Sequence, residues 1–337
     1  MPTSKSAEPI LVTMGEPAGI GPEVAIAAYR ALGGRVGGRD IRLIGDPQVF
    51  LRAGIADGEP LLARRPLPHP PVPGRPDPAN AAGVIDAIDF AVDLAMKGVG
   101  AAVVTAPIHK AVLMRTGFRF AGHTDYLAEL TGAPRAVMML AGETLRVVPL
   151  TVHIPLAEVP RALDRRSMVE TAEIVIAALK RDFAIAAPRL AVAGLNPHAG
   201  EDGQIGREER DIIGPAVDEL RGRGHAVLGP LPADTMFHAE ARAGYDAALC
   251  MYHDQALIPI KTLAFWDGVN VTLGLPIVRT SPDHGTGLDI AGRGLADPRS
   301  MIAAIRLAAK IADARGALAG KAGTGFPSAS AADENAR

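Results

Sequence analysis

Short apolar runs that alternate with helical segments recur along almost the whole sequence, and this alternation constrains the fold more than any other feature. Such runs occur at residues 10–14, 41–44, 101–105, 146–152, 190–195 and 247–251. Repeated strand–helix–strand units favour an α/β fold with a mostly parallel sheet whose strand carboxyl ends meet at one edge. The 337 residues exceed what one hydrophobic core comfortably organises, so we expect two domains.

Composition excludes several classes of partner. A formal charge of -2 and a pI near 6.5 leave no basic surface for nucleic acid or an acidic membrane. The sequence has neither a run of about 18 apolar residues nor the apolar core of a signal peptide, so we expect a cytoplasmic protein without membrane segments. The single cysteine, Cys250, lies in a predicted strand, which favours a buried, inert thiol over a nucleophile.

The stretch 250–293 concentrates polar chemistry at predicted strand ends. The strand at 247–251 is followed at once by His253, and a second predicted strand, 269–278, is followed by Arg279. The stretch also carries further charged and polar side chains, namely Asp254, Lys261, Asn270, Asp283, His284 and Asp289. We interpret this cluster as a functional site rather than a turn-rich surface.

A glycine-rich segment at residues 15–23 links the first strand to the first helix. Backbone N–H groups at a helix start attract anions, so one interpretation is an anion-binding loop. The segment lacks the last glycine of the dinucleotide fingerprint and the Lys-Ser/Thr pair of a P-loop. The alternative is a tight structural turn, with Pro22 in the first helical turn and Glu23 complementing the helix dipole.

Three histidines, His153, His198 and His253, follow different predicted strands. Their separations of 45 and 55 positions match no local ligand motif, but parallel strands would deliver them to one edge. Three imidazoles suit zinc or another divalent ion, with Asp234 and Asp254 orienting the rings or offsetting charge. Scattered loop histidines remain the alternative.

Lys261, Asn270 and Arg279 suit recognition of an anionic group, although they do not distinguish phosphate from carboxylate. Hydrolysis by a Ser/His/Asp triad is the competing enzyme class. The sequence has no G-x-S-x-G nucleophile elbow, and Ser281 precedes a proline.

Several blocks in this order resemble the 4-hydroxythreonine-4-phosphate dehydrogenases of pyridoxine biosynthesis, over roughly residues 9–318. They are TMGEPAGIGPE at 13–23, TAPIHK at 105–110, GHT at 122–124, NPHAG at 196–200, YHDQ at 252–255, VNVTLGLP at 269–276 and DHGT at 283–286. The resemblance implies an isocitrate/isopropylmalate dehydrogenase-like fold of two α/β/α domains, with the active site in the interdomain cleft at a homodimer interface. Residues 1–128 with 280–325 would form the first domain, 129–279 the second, and 326–337 a flexible tail.

The resemblance also implies an activity. The family oxidises the secondary alcohol of 4-phosphohydroxy-L-threonine with NAD or NADP, and the product, 2-amino-3-oxo-4-phosphooxybutanoate, loses CO2 to give 3-amino-2-oxopropyl phosphate. The family binds its nicotinamide cofactor without the dinucleotide fingerprint, and no cofactor-binding residue is predicted here. Asp125 stands where many members have Glu, and Ala256 where Gly is common. Related enzymes on this scaffold oxidise erythronate-type sugar acids or aromatic cis-dihydrodiols, and these remain the alternative.

By resemblance, His153, His198 and His253 would bind the divalent metal, with His253 reaching the partner subunit's site. Zinc is the first expectation, and magnesium and cobalt are the others. Together with Asp234 these histidines form the predicted catalytic group. The predicted substrate contacts are His123, Thr124, Lys261, Asn270 and Arg279.

Overall fold

The computed structural model describes residues 7–56, 60–120 and 122–323, and within these ranges one mixed sheet of twelve strands runs through the molecule. The strands are β1 Ala7–Thr13, β2 Arg35–Val36, β3 Arg39–Gly45, β4 Leu61–Ala63, β5 Ala102–Thr105, β6 Val137–Ala141, β7 Arg146–Pro149, β8 Arg189–Ala193, β9 Ala226–Leu231, β10 Ala247–Cys250, β11 Val269–Leu273 and β12 Arg279–Pro282. They lie in the order β2-β3-β1-β5-β12-β11-β6-β7-β10-β8-β9, with β4 beside β3.

The two halves of the sheet are largely parallel, as predicted, but the centre is antiparallel. β12, β11, β6 and β7 pair antiparallel with one another in that order. Connection length explains two of these pairs, β6–β7 and β11–β12, because each is joined by a short segment and parallel neighbours need a crossover of a dozen or more residues. β6 and β7 are joined by a hairpin closed by the Gly142 N–H donating to the Leu145 carbonyl (2.9 Å).

The prediction of one strand over residues 269–278 was wrong. The chain leaves β11 at Gly274, whose φ of +85° is accessible mainly to glycine, and turns back to form β12. Arg279 therefore opens a separate strand in the middle of the sheet instead of following one into solvent. This turn accounts for the burial of its side chain.

Helices cover the sheet. They are α1 Gly21–Ala31, α2 Pro47–Arg52, α3 Ala81–Met96, α4 Lys110–Met114, α5 His123–Thr131, α6 Val159–Ala162, α7 Arg165–Asp182, α8 Gly214–Gly222, α9 Ala239–Arg242, α10 His253–Leu263 and α11 Arg299–Gly323. In the β6-β7-β10-β8 half, alternate strand residues join two different apolar clusters. One cluster includes buried residues of α7 and the other includes buried residues of α10, so this half has helices on both faces.

The strands that precede the three predicted metal ligands are neighbours. β10 pairs in parallel with β7 on one side and with β8 on the other, so the loops bearing His153, His253 and His198 leave the same edge of the sheet. The topological part of the sequence argument is therefore confirmed. Cys250, at the end of β10, is buried, and burial raises the pKa of its thiol, as expected for an inert residue.

The sheet continues from one predicted domain into the other, and the division into 1–128 with 280–325 and 129–279 stays a prediction. The tail predicted at 326–337 lies outside the described residues. In the part of the chain that the structure describes, no helix has the length and apolar character needed to span a membrane.

Candidate active site

A cavity of about 680 Å³ opens where β5, β7, β11 and β12 meet the starts of α4 and α5. All five residues predicted to contact the substrate line it, and so does His153. Those five are His123, Thr124, Lys261, Asn270 and Arg279. The sequence placed them up to 156 positions apart, and the fold brings them to one surface.

Arg279 is the most constrained of these residues. Its side chain is buried, and its guanidinium donates hydrogen bonds to the hydroxyls of Thr105 (2.6 Å) and Thr272 (2.9 Å). Its Nε has no hydrogen-bond partner, and no carboxylate among the described residues forms an ion pair with it. Burial lowers the pKa of Arg279 to about 9. A buried cation without a counterion is costly for the fold, and a bound anion would compensate it.

His123 begins α5 and lines the same cavity, and its buried Nε2 has no hydrogen-bond partner among the described residues. Desolvation lowers the pKa of His123 well below its usual value, and the nearby charges of Arg279 and Lys110 lower it further. The imidazole is therefore neutral at physiological pH. The side-chain oxygen of Asn270 is likewise buried and unpaired, so the cavity offers both neutral and cationic polar groups to a ligand.

Two lysines differ in how they are held. Lys261 Nζ lies 2.7 Å from the carboxylate of Asp283, which partly neutralises it. Lys110, the first residue of α4, lies against Gly122 and has no ion pair within the described ranges. Lys110 also lines the cavity and was not among the residues predicted to contact the substrate, although it closely follows the β5 strand.

His153 and His253 come together. Their ring centroids are 5.8 Å apart, and the Nδ1 atom of His253 lies 2.7 Å from a carboxylate oxygen of Asp254. Burial, then Lys110 and His253, lower the pKa of His153, which favours the neutral, ligating form. A carboxylate on Nδ1 leaves Nε2 of His253 available to a ligand, an arrangement typical of metal-binding histidines.

His198 has the same local arrangement but is not in that pair. Its Nδ1 lies 2.7 Å from a carboxylate oxygen of Glu201, its side chain is 65% exposed, and Glu201 and then Asp234 raise its pKa. Within the described residues of one chain, no three His, Cys, Asp or Glu side chains approach closely enough to share an ion. The donor chemistry suits a divalent metal, and the three-histidine site stays a prediction.

The glycine-rich segment at 15–23 supports the structural interpretation over the anion-binding one. The N–H of Glu16 donates to the Pro107 carbonyl (2.8 Å) and that of Ile20 to the Thr286 carbonyl (2.9 Å). A Cβ on Gly19 would come within 2.6 Å of the Thr286 carbonyl oxygen, so glycine is required for close backbone packing here. The segment braces the 283–286 loop, which itself contributes to the cavity wall.

Comparison with known proteins gives concordant results. A family model described as pyridoxal phosphate biosynthetic protein PdxA matches residues 54–308. The chain is 53% identical over 326 residues to a 4-hydroxythreonine-4-phosphate dehydrogenase from Paracoccus denitrificans, covering 92% of this chain and 99% of that protein.

Solved structures give the same result. The 4-hydroxythreonine-4-phosphate dehydrogenase of Klebsiella pneumoniae superposes with a TM-score of 0.81 at 37% identity, covering 91% of this chain and 100% of that one. A terephthalate 1,2-cis-dihydrodiol dehydrogenase from Burkholderia xenovorans has a TM-score of 0.64 at 31% identity, covering 90% and 98%.

Proposed function

The chain belongs to the family of the pyridoxal phosphate biosynthetic protein PdxA, and we propose that it oxidises the secondary alcohol of 4-phosphohydroxy-L-threonine. The hydrogen on the alcohol carbon leaves as a hydride to NAD or NADP, and the hydroxyl proton is released. The product, 2-amino-3-oxo-4-phosphooxybutanoate, is a β-keto acid that loses CO2 to give 3-amino-2-oxopropyl phosphate. This activity places the enzyme in pyridoxal phosphate biosynthesis.

The observation that carries the proposal is the buried guanidinium of Arg279, which has no carboxylate partner among the described residues and whose Nε makes no hydrogen bond, in a cavity that Lys110 and Lys261 also line. A phosphorylated substrate supplies the anion that Arg279 and Lys110 lack among the described residues, beside a Lys261 that Asp283 only partly neutralises. Charge-assisted hydrogen bonds to phosphate are shorter and stronger than neutral ones, and a guanidinium can form two in parallel. This is the physical basis for preferring a phosphorylated substrate over a neutral diol.

Each side chain in the cavity has a distinct proposed role. Arg279 and Lys261 hold the anionic group, while Asn270 and Thr124 orient it through polar contacts. His123, kept neutral by its surroundings, forms a hydrogen bond without adding a further charge beside Arg279. The charge of Lys110 lowers the pKa of both His123 and His153. Lys110 is therefore suited to contact the substrate between the substrate's anchored end and its reacting end.

His153, His198 and His253 are the proposed ligands of a divalent ion, with zinc first and magnesium or cobalt as the others. When bound, such an ion would lower the pKa of the substrate hydroxyl and polarise the carbonyl that replaces it. The chain prepares two of these ligands by holding Nδ1 with a carboxylate, Glu201 for His198 and Asp254 for His253. Asp234 adds negative charge near His198.

We further propose a homodimer in which the two subunits share their active sites. The support is the incomplete histidine group within the described part of one chain, together with exposed apolar side chains, one of which lines the cavity. Leu156 and Phe265 are about two-thirds exposed, and Phe265 itself lines the cavity. A subunit packed here would bury these side chains and could bring a third imidazole to the ion.

The deciding experiment follows nicotinamide reduction with 4-phosphohydroxythreonine and with unphosphorylated 4-hydroxythreonine, before and after treatment with a chelator. We expect turnover only with the phosphorylated compound, loss after chelation, and recovery on adding zinc, magnesium or cobalt. Equal turnover of the two compounds would remove the role given to Arg279. Turnover that survives complete chelation would remove the role given to the histidines.

A second candidate is oxidation of an aromatic cis-dihydrodiol or an erythronate-type sugar acid. The similarity to the terephthalate dihydrodiol dehydrogenase favours the first of these. Such an enzyme would keep the three histidines and need no phosphate contact. Turnover of a carboxylated dihydrodiol or of erythronate in the same assay, without turnover of the phosphorylated compound, would establish this alternative.

A further inference from the structure

The loop that carries His198 has an unusual backbone. Residues His198, Ala199, Gly200, Glu201 and Asp202 all have φ between +43° and +82°, so they form a left-handed turn. Only one of the five is glycine. L-residues with a Cβ disfavour this conformation, so surrounding contacts must hold the turn, and such strained segments cluster at functional sites.

A buried carboxylate lies beneath this turn. Glu209 accepts hydrogen bonds from the backbone N–H of Asn196 (2.7 Å) and from its side-chain Nδ2 (2.9 Å), at the point where the chain enters the turn. The carboxylate fills the space between Gly194 and Gly200, since a Cβ on either glycine would come within 3.1 Å and 2.6 Å of its oxygens. Glu209 also begins a π-helical turn, Glu209–Ile213, a rare geometry that often occurs at functional sites.

The same region is connected to the loop bearing His253. The side-chain amide of Gln255 donates to the Gly194 carbonyl (2.7 Å), and its oxygen accepts from the backbone N–H of Met251 (2.7 Å). Gln255 is buried two residues after His253 in α10. The backbone that leads to His198 is thus tied from one side by Glu209 and from the other by the helix that begins at His253.

We infer that Glu209, acting through Asn196, is a positioning residue that holds the left-handed turn and thereby presents His198 for metal binding. The inference rests on the proposed function, in which His198 is a metal ligand. Glu209 does not contact the ion or the substrate. Its hydrogen bonds to Asn196 offset the strain of the left-handed turn and keep the turn formed. The imidazole of His198, whose Nδ1 is held by Glu201, is therefore already oriented when the ion binds.

The test compares the purified wild-type protein, in the oligomeric state in which it is obtained, with the variants Glu209→Gln and Asn196→Ala. Glutamine has nearly the same shape, but its amide group cannot accept the second hydrogen bond from Asn196. Zinc and cobalt affinity is measured by competition with a chromophoric chelator, and the visible absorption of bound cobalt reports ligand geometry. We expect affinity to fall about 10- to 100-fold in each variant and the cobalt spectrum to change, as found when groups that orient metal ligands are lost.

Asp46→Asn is the matched control. Asp46 is another buried carboxylate that accepts two backbone hydrogen bonds, from Gln48 (2.8 Å) and Leu67 (2.8 Å), but it lies after β3 in the other half of the sheet. We expect this variant to lose thermal stability and to retain wild-type metal affinity. An equal loss of affinity in the control would attribute the effect to general destabilisation and overturn the inference.

Asn196→Ala provides an independent measurement if Glu209→Gln does not fold, because it removes the side-chain hydrogen bonds to Glu209 and Glu208 and keeps the backbone hydrogen bond to Glu209. Wild-type affinity in the folded variants would overturn the inference while leaving the proposed function intact. A wild-type protein that binds neither zinc nor cobalt would overturn the metal site of the proposed function, and this inference with it.

Discussion

Replacing Arg279 by Met should weaken substrate binding without the loss of stability that usually follows truncation of a buried side chain. Burial lowers the pKa of this guanidinium from 12.5 to about 9. Because one pKa unit corresponds to 1.36 kcal/mol, keeping the charge in the unliganded protein costs about 5 kcal/mol, as an upper estimate. Methionine removes that cost and keeps much of the volume.

Two hydrogen bonds are lost in exchange, those to the hydroxyls of Thr105 and Thr272. Hydrogen bonds that involve a charged group contribute about 1.5–3 kcal/mol each. Relative to the wild type, the free energy of unfolding of Arg279→Met should therefore change by between a loss of about 1 kcal/mol and a gain of about 2 kcal/mol. Loss of a buried charge pair with the substrate should cost about 2–5 kcal/mol, which raises KM for the phosphorylated substrate by about 30- to several-thousand-fold.

Urea denaturation of the unliganded protein and initial-rate kinetics measure the two quantities on the same preparation. The control is Arg39→Met, because Arg39 is similarly buried but is paired with Glu8 and Asp313. Removing Arg39 breaks both of these ion pairs, so stability should fall and KM should stay unchanged. The reasoning fails if Arg279→Met loses more than about 2 kcal/mol of stability while KM is unaffected.

Three further results are expected. Lys110→Met should raise KM about tenfold, since this cation has no ion pair within the described ranges. The control Lys97→Met, which breaks an exposed pair with Asp93, should leave KM unchanged. Equal kinetics in the two variants would contradict the role of Lys110. His123 has a lower pKa in the fold than in the unfolded chain, so the unfolded state binds more protons below about pH 6.5 and stability falls as pH drops. Denaturation of His123→Gln between pH 5 and 8 should show a weaker dependence of stability on pH. The same pH dependence as in the wild type would argue against a buried imidazole. Cys250 should resist iodoacetamide at pH 8 until the protein unfolds, because burial raises the pKa of its thiol, and rapid labelling of the native protein would show that the end of β10 is open.

Much of the fold followed from local pattern. Apolar runs identified seven of the twelve strands, β1, β3, β5, β7, β8, β10 and β11, and did not identify β2, β4, β6, β9 and β12. The strand–loop–helix order predicted that polar side chains would gather at strand ends. The antiparallel centre could not be predicted in this way. Whether residues 269–278 form one strand or two depends on the turn at Gly274 and on what lies beside it, and an apolar run has the same appearance in both cases.

The residues of the candidate site also fall into those that the sequence identified and those whose role only the structure revealed. His123 and Asn270 lie in the quoted sequence blocks, Arg279 was singled out because it follows a predicted strand, and the fold places all three on one cavity. Glu209 lies in a stretch of charged residues where nothing distinguishes it from its neighbours, and only the packing beneath Gly200 gives it a role. Lys110 was visible as a residue after a strand, but its lack of an ion pair could be seen only once its surroundings were in place.

By itself, the sequence determined which chemical groups are available, that many of the apolar runs become strands, and that several polar loops leave one edge of the sheet, because these depend on residue type and local periodicity. Tertiary structure alone decided which charges are paired, which are buried without a counterion, and which backbone is held in a strained turn. Burial and pairing depend on neighbours distant in the chain, and the energy of a charge in a protein is set by those neighbours far more than by its own identity.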